Sequence, residues 1–185
     1  MVLGIRIKIL PFAEKNRELM FHLYVGEKKE EELFFSNQKI REAIKKIPWS
    51  VAKRLGFIAF IINDKSKILK SIGYNPKVYT AEHYQLRSIV NRTGYATLAE
   101  LTILKYLETK YPGYSVTTTK KPHKPRLEQL KKQGRKPGEL LTIEEAIRRL
   151  EQYARRKGFA ARIRDSKKQR LRRKNWPKYG RNKPK

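Results

Sequence analysis

The sequence predicts a mixed α/β domain of the α+β type, in which helices flank a β-sheet, followed by a basic helix and an extended tail. Several short segments alternate apolar and polar residues, which is the two-residue period of half-buried strands. Other segments place apolar residues three and four positions apart, as amphipathic helices do. Charge marks the end of the chain, since residues 116–185 carry 25 basic and 6 acidic side chains, which is +19 of the total net charge of +28.

The amino-terminal part is predicted to supply the first strands. Alternation indicates a strand at residues 3–10. Residues 19–25 predict a second strand, and the apolar residues 33–35 predict a short strand that returns after an acidic turn. A helix follows, which Ser36 or Asn37 would cap because either side chain can accept from the unpaired N–H groups of the first turn. Residues 51–55 predict a second short helix. Phe57–Ile62 is the most apolar segment, and a run that is apolar on both faces predicts a strand in the middle of a sheet.

The central part predicts a strand, a turn and a helix. Residues 68–74 indicate the hairpin partner of the apolar strand, joined to it by a short polar turn. Residues 78–81 lead into a further predicted strand at Tyr84–Val90, where every second residue lies on the same side. The polar turn Asn91–Ala96 follows, and Leu98–Leu107 then carries apolar residues at helical spacing. Such a helix start suits a phosphate, because its first N–H groups lack partners and the helix dipole lies behind them.

The turn itself, Asn91-x-x-Gly94-x-Ala96, resembles motif A of the GNAT acyltransferase superfamily. That motif, (Gln/Arg)-x-x-Gly-x-(Gly/Ala), holds the pyrophosphate of acetyl-CoA at the start of a helix. The glycine and the alanine match, whereas Asn91 stands where the family has Gln or Arg. The resemblance implies a GNAT-like mixed sheet flanked by helices over residues 1–135. It also implies a cradle for acetyl-CoA or phosphate, formed by Asn91, Thr93, Gly94, Tyr95 and Ala96.

Catalysis is not predicted. The resemblance places Glu82 near the position of a catalytic base, but Leu130 stands where the family has its tyrosine general acid. Glu100 and Glu108 on the predicted helix are interpreted as solvent-facing charges. The chain has no cysteine and only three scattered histidines, so no metal site is predicted. We therefore expect a fold reused as a scaffold, with no catalytic residue and no cofactor.

The last third of the chain is predicted to be basic and less compact. Residues 114–119 favour a strand, and residues 120–138 form basic linkers and turns around one or two helical turns at residues 127–132. Thr142 then begins a helix, because Glu145 at the third position after it completes a capping box. The predicted divisions are a GNAT-like domain at 1–135, a basic amphipathic helix at 136–160 and an extended basic tail at 161–185.

Nucleic acid is the predicted partner, because a compact fold of this charge density repels itself unless a polyanion neutralises it. Guanidinium groups fork onto phosphates and stack on bases, and the tail adds aromatic stacking surfaces. The predicted RNA-binding residues are Lys120, Lys121, Arg126, Arg135, Lys136, Arg148, Arg149, Arg155, Arg156, Lys157, Arg162, Arg164, Lys167, Lys168, Arg170, Arg172, Arg173, Lys174, Trp176, Lys178, Tyr179 and Arg181.

RNA is favoured over DNA because folded RNA offers crevices for a long basic and aromatic tail. We expect a structural RNA-binding protein, a ribosomal or ribosome-associated protein of a thermophilic archaeon, with ribosomal RNA and neighbouring ribosomal proteins as partners. The sequence contains no apolar run long enough to predict a membrane span, and its start does not resemble a secretion signal. A cytoplasmic location is therefore expected. Two alternatives stay open: an active GNAT acetyltransferase, using acetyl-CoA on RNA or a nucleic-acid-bound protein, and a DNA-binding chromatin or viral protein.

Overall fold

One seven-stranded mixed sheet organises residues 2–48, 53–72 and 81–159, which are the residues that the computed structural model describes. The strands are β1 (Leu3–Ile9), β2 (Glu18–Glu27), β3 (Leu33–Phe35), β4 (Arg54–Asn63), β5 (Ile68–Ser71), β6 (Ser115–Thr117) and β7 (Leu140–Thr142). The α-helices of these residues are α1 (Gln38–Ile44), α2 (Ala81–Val90), α3 (Tyr95–Lys110), α4 (Lys124–Lys132) and α5 (Ile143–Arg156). The predicted mixed α/β class is therefore confirmed.

The strand order across the sheet is β3-β1-β2-β4-β5-β6-β7. All neighbours are antiparallel except β5 and β6, which run parallel. Parallel neighbours need a crossover connection, and here α2 and α3 lie between β5 and β6 in the chain. The carboxyl ends of β5 and β6 therefore lie side by side at the same end of the sheet.

The hydrophobic core lies on one face of this sheet. Ile5 and Ile7 of β1 and Phe21 and Leu23 of β2 are fully buried, and they share one apolar cluster with residues of α1, α3 and α5. Phe60 of β4 packs edge to face against Phe21, with the ring centroids 6.1 Å apart. Strand alternation places the intervening side chains of β1, β2 and β4 on the opposite face.

Side-chain caps fix the starts of two helices as predicted. Oδ1 of Asn37 accepts from the backbone N–H of Ile40 at 2.7 Å, at the start of α1. Oγ1 of Thr142 accepts from the backbone N–H of Glu145 at 3.1 Å, at the start of α5. Each cap satisfies an N–H group that has no partner within its helix. The helix predictions for α1 and α5 are therefore confirmed, as is the predicted helix α3.

The prediction of a strand at Tyr84–Val90 is wrong, because these residues belong to α2. Strand and helical patterns overlap here, since Leu86 and Val90 are two strand periods apart and also about one helical turn apart. The helix buries both of these side chains in the core. α2 and α3 are thus two consecutive helices joined by the turn at residues 91–94, and the strand–turn–helix on which the motif A resemblance rests is not formed there.

Smaller differences concern the ends of elements. Leu55, which was predicted to lie in a short helix, belongs to β4, and that strand begins at Arg54. Lys124 starts α4 inside the predicted linker, because the ring of His123 caps the helix by accepting from the N–H of Arg126 at 3.1 Å. β7 was not predicted, because Leu140–Thr142 becomes a strand through its pairing with β6, which is more than 20 residues away in sequence. Several predicted segments lie partly or wholly outside the described residues, which lack 51–52, 73–74, 78–80, 160 and the tail at 161–185.

Candidate nucleic-acid interface

A buried carboxylate on α3, Glu100, binds two arginines. Its oxygens accept hydrogen bonds from Nη2 of Arg126 at 3.0 and 3.1 Å and from Nη1 of Arg135 at 2.6 Å. The exposed fractions of the side chains are only 5% for Glu100 and 2% for Arg135. The prediction that Glu100 faces solvent is therefore wrong. α3 is buried around most of its circumference, from Tyr95 to Leu107, so a polar position on this helix does not mark a solvent-facing side.

The charge state of Glu100 follows from its partners. Burial acts to raise its pKa, but the charges and hydrogen bonds of Arg126 and Arg135 outweigh burial and lower the pKa from 4.5 to about 2. The carboxylate is therefore ionised at neutral pH. Because Arg126 lies on α4 and Arg135 in the turn that follows it, this one acid joins both segments to α3.

Arg126 and Arg135 thus point into the protein, although the sequence assigns both to RNA binding. Arg126 also donates from Nη1 to Oε1 of Gln129 at 2.8 Å. Gln133, buried beside them, donates from Nε2 to Oγ1 of Thr97 at 3.5 Å. The contacts of these residues fix the position of α4 and of the segment directly after it, where Gln133 and Gly134 form one wall of a basic groove.

The basic groove lies between the carboxyl end of α4 and the polar face of α5, and we call it the arginine groove. It has a volume of about 540 Å³. The lining residues are Gln133, Gly134, Glu145, Arg148, Arg149, Gln152, Arg155 and Arg156. The members from α5 recur at intervals of three and four, so they share one face of the helix. The apolar stripe of α5 lies on the other face and packs into the core with α3.

Arg149 links the two walls of the arginine groove by hydrogen bonds. It donates from Nε to Glu145 at 2.8 Å and from Nη1 to the carbonyl oxygen of Gly134 at 2.7 Å, and Nη1 also lies 3.1 Å from Glu139. Hydrogen bonds from Arg148 and Arg149 lower the pKa of Glu145 to about 2. The acid therefore stays ionised and holds both guanidinium groups in place.

The other three arginines of the groove are open to solvent. The exposed side-chain fractions are 62% for Arg148 and 74% for Arg155. Arg155 lies 4.0 Å from Glu151, and Arg156 donates to the carbonyl oxygen of Lys132 at 3.5 Å. Exposed contacts of this length stabilise a fold only slightly. The guanidinium groups of Arg155 and Arg156 are therefore available for oxygen atoms of a phosphate backbone. Arg148 keeps Nε and Nη2 bound to Glu145 at 2.8 and 2.7 Å, so it is available through its remaining N–H groups.

The remaining predicted RNA-binding residues divide into two groups. Those within the described part of the chain are exposed, and they are Lys120, Lys121, Lys136 and Lys157. Those of the tail lie outside the described residues, and they are Arg162, Arg164, Lys167, Lys168, Arg170, Arg172, Arg173, Lys174, Trp176, Lys178, Tyr179 and Arg181. Sequence reasoning did not find Gln152 of the groove, which carries no charge but follows Arg148 by one helical turn.

The predicted phosphate cradle, Asn91–Ala96, is packed against the end of the described chain. Gly94 has a φ of +80°, and a Cβ built on it would lie 2.3 Å from the ring of Phe159. Nδ2 of Asn37 donates to the carbonyl oxygens of Thr93 at 3.1 Å and Phe159 at 3.2 Å. Oγ1 of Thr93 is directed back to the carbonyl oxygen of Val90. The glycine therefore makes room for a ring of the protein.

Ala96, at the other side of this turn, lines a second cavity of about 450 Å³. The cavity lies where the parallel strands end, with Ser71 from β5 and Thr118 just after β6 in its wall. Arg87 of α2 and Lys121 add positive charge. In open sheets with parallel strands, ligands bind outside the carboxyl ends of those strands, so this cavity is the candidate ligand site of the sheet.

The described residues contain no group of three or more metal-ligating side chains. None of the helices within residues 2–48, 53–72 and 81–159 has the length and apolar character needed to cross a membrane. Comparison with known proteins found no matching family model, no matching curated protein and no matching solved structure. Inferences about function therefore rest on the chemistry of the residues alone.

Proposed function

We propose that this protein is a non-catalytic, structural RNA-binding protein that uses the arginine groove as a backbone-binding surface. The observation that carries the proposal is the exposure of Arg148, Arg155 and Arg156 on one face of a helix that is anchored by its other face. Arginine binds phosphate in a bidentate manner and stays charged at any physiological pH. A row of such groups along one face of a helix suits the repeated phosphates of a nucleic-acid backbone.

The charge distribution supports a large polyanion as the partner. Residues 160–185 add 12 basic side chains and one acid, together with Trp176 and Tyr179. A basic folded domain followed by a basic, aromatic segment is typical of proteins that bind structured RNA. We therefore propose that the protein belongs to the ribosome or is stably associated with it, in the cytoplasm of a thermophilic archaeon. Its proposed partners are ribosomal RNA and neighbouring ribosomal proteins.

Ribosome association predicts a defined behaviour in sedimentation. We expect the native protein in a cleared lysate to migrate with a ribosomal subunit in a sucrose gradient, and to leave it as the salt concentration rises. The reason is that phosphate contacts release counterions, so affinity falls linearly with salt on logarithmic axes. A western blot across the gradient at two salt concentrations measures this. Migration at the top of the gradient at low salt would contradict the proposal, and tighter binding to duplex DNA than to ribosomal RNA would favour the chromatin alternative.

We also propose that the sheet has a GNAT-like arrangement. With this fold, an acetyltransferase function is the alternative to test. The cavity at the ends of β5 and β6 supports it, because it is large enough for a small ligand and carries Arg87 and Lys121. Leu130 argues against acetyl transfer, because it occupies the position that the resemblance assigns to the tyrosine general acid. Its side chain is fully buried.

Acetyl-CoA distinguishes the two functions. If the scaffold is non-catalytic, calorimetric titration with acetyl-CoA should show no saturable heat up to millimolar concentrations. Ala96→Glu serves as the control, because it introduces bulk and negative charge into the wall of the cavity and should leave RNA binding by the arginine groove intact. Micromolar binding of acetyl-CoA that Ala96→Glu abolishes, together with acetyl transfer to RNA or protein, would establish the enzyme instead.

A further inference from the structure

Three aromatic rings lie together on the face of the sheet opposite the core. His22 and Tyr24 are on the same side of β2, and Phe57 of β4 lies directly across from His22 in the strand pairing. The ring centroids are 6.4 Å apart for His22 and Tyr24 and 6.2 Å apart for His22 and Phe57. The rings are tilted against each other by 51° and 45°. We call these three residues the ring cluster.

The ring cluster is not part of the hydrophobic core. Alternation along β2 places its side chains opposite Phe21 and Leu23, which are fully buried. All three rings are partly exposed, and none belongs to the apolar cluster that includes α1, α3 and α5. Partly exposed aromatic rings that lie side by side on a sheet are a candidate binding surface.

Basic side chains surround the ring cluster. The guanidinium carbon of Arg6 lies 5.6 Å from the centroid of the Tyr24 ring. Arg54 donates from Nη2 to Nε2 of His22 at 3.3 Å. Lys8 is paired with His22 across β1 and β2, and both Lys8 and Arg54 are exposed.

The charge of this face is therefore positive. Two acids lie near this face, and neither neutralises Lys8 or Arg54. Glu32 is bound to Arg6 at 3.1 Å, and Glu18 lies at the far end of β2, opposite Ile61. Burial, followed by the charges of Arg54 and Lys8, lowers the pKa of His22 below 6.5. At neutral pH the histidine therefore presents an uncharged ring.

We propose that the face of β1, β2 and β4 around the ring cluster binds an unpaired segment of RNA. Bases stack on Tyr24 and Phe57, and Lys8 and Arg54 contact the phosphates beside them. Flat rings on an open sheet, with cations at their edges, are suited to unstacked bases, because every base offers a π-face and every linkage a charge. An acidic peptide would use the cations but would leave the rings without a partner.

This inference rests on the proposed function only in taking RNA as the partner, because the surface is separate from the arginine groove. Among the described residues, none that lines the groove is aromatic, so the groove suits the backbone of structured RNA. The sheet face suits bases that are free of pairing. One RNA with a duplex and a single-stranded extension would occupy both surfaces.

Binding of a labelled single-stranded RNA of about ten nucleotides, measured by fluorescence anisotropy with the full chain, tests the proposal. We expect Tyr24→Leu and Phe57→Leu each to weaken this binding by about 10-fold to 100-fold. Leucine keeps the apolar bulk that supports the fold but removes the stacking surface. Tyr24→Phe retains a ring and should bind as the wild type does. Tyr114→Leu, which changes a partly buried tyrosine outside the ring cluster, is the matched control and should have no effect.

Affinity for a hairpin RNA of equal length separates this inference from the proposed function. The ring variants should leave hairpin binding unchanged, and substitutions in the arginine groove should weaken it. Equal affinity of wild type and both leucine variants for the single strand would overturn the inference, whatever the hairpin result.

Photo-crosslinking followed by mass spectrometry gives a second readout: adducts at Tyr24 or Phe57 support the inference, and adducts confined to α5 overturn it. A single-stranded DNA of the same sequence that binds more tightly than the RNA would overturn the assignment to RNA.

Discussion

Glu100→Gln is expected to lower the free energy of unfolding by about 3–5 kcal/mol, which is typical when one partner of a buried ion pair is removed. The carboxylate accepts hydrogen bonds from both Arg126 and Arg135. Glutamine removes the negative charge and leaves the guanidinium of Arg135 buried without a counter-charge. The side chain of Arg135 is only 2% exposed, so water cannot replace the lost partner. Urea-induced unfolding followed by circular dichroism measures the difference.

The same ion pairs make stability depend on pH. Because the pKa of Glu100 is lowered from 4.5 in the unfolded chain to about 2 in the folded protein, folding favours the ionised acid. The stabilisation is complete above pH 4.5 and is lost as the pH falls through about 2, and it amounts to about 3 kcal/mol. Glu100→Gln should lack this acid-dependent component.

Glu108→Gln on the same helix is the matched control, because it makes the same chemical change at a half-buried position. We expect it to change the free energy of unfolding by less than about 0.5 kcal/mol. If Glu100→Gln were as stable as the wild type at neutral pH, the ion pairs would not anchor α4. The arginine groove would then lack the rigid wall that the proposed function assigns to it.

Sequence patterns predicted most of the strands because alternation is a local property. The two-residue period of β2 is visible from Leu19 to Val25, and one residue of slip would move Phe21 out of the core. Capping is equally local, so Asn37 and Thr142 mark their helices without knowledge of the fold. These elements could therefore be placed before any tertiary contact was known.

The errors arose where tertiary contacts decide between local alternatives. Leu86 and Val90 fit both a strand and a helix, and only the core against which α2 packs selects the helix. The burial of Glu100 could not be predicted from the sequence either. An acid on an apolar helix faces solvent unless cations elsewhere in the chain neutralise it. Arg126 and Arg135 lie 26 and 35 positions away in sequence. Their basic surroundings suggested RNA binding, whereas the fold turns them inward.

Of the two candidate RNA surfaces, only one could be predicted from the sequence. The basic face of α5 could be predicted, because helical spacing separates Arg148, Arg155 and Arg156 from the apolar stripe. The ring cluster could not, since alternation assigns His22 and Tyr24 to one side of a strand but does not reveal whether a helix covers that side. The packing of the helices decides which face of a sheet they cover, and among the described helices α1, α2, α3 and α5 join the core on the face of Phe21.

Replacing Arg148, Arg155 and Arg156 together by glutamine is expected to weaken binding of a hairpin RNA by about 100-fold to 1000-fold. The estimate follows from about 1.5–3 kcal/mol for each hydrogen bond to a charged group, with incomplete additivity. Each lost phosphate contact should also reduce the slope of log affinity against log salt by about 0.7–0.9, so the total reduction is about 2–3. Filter binding of the full chain between about 50 and 200 mM salt measures both quantities.

The control for this triple variant replaces Lys15, Lys46 and Lys65 by glutamine, which removes the same charge at exposed positions outside the groove. Long-range attraction falls equally in both variants, so the difference between them reports direct contact. We expect the control to bind within about threefold of the wild type, because these lysines do not line the arginine groove and salt screens the attraction of exposed charges that make no direct contact. If both variants lost the same affinity and the same salt slope, the arginine groove would contribute only net charge. The phosphate contacts would then have to lie elsewhere in the chain, and the helix face that carries the proposed function would not be a binding surface.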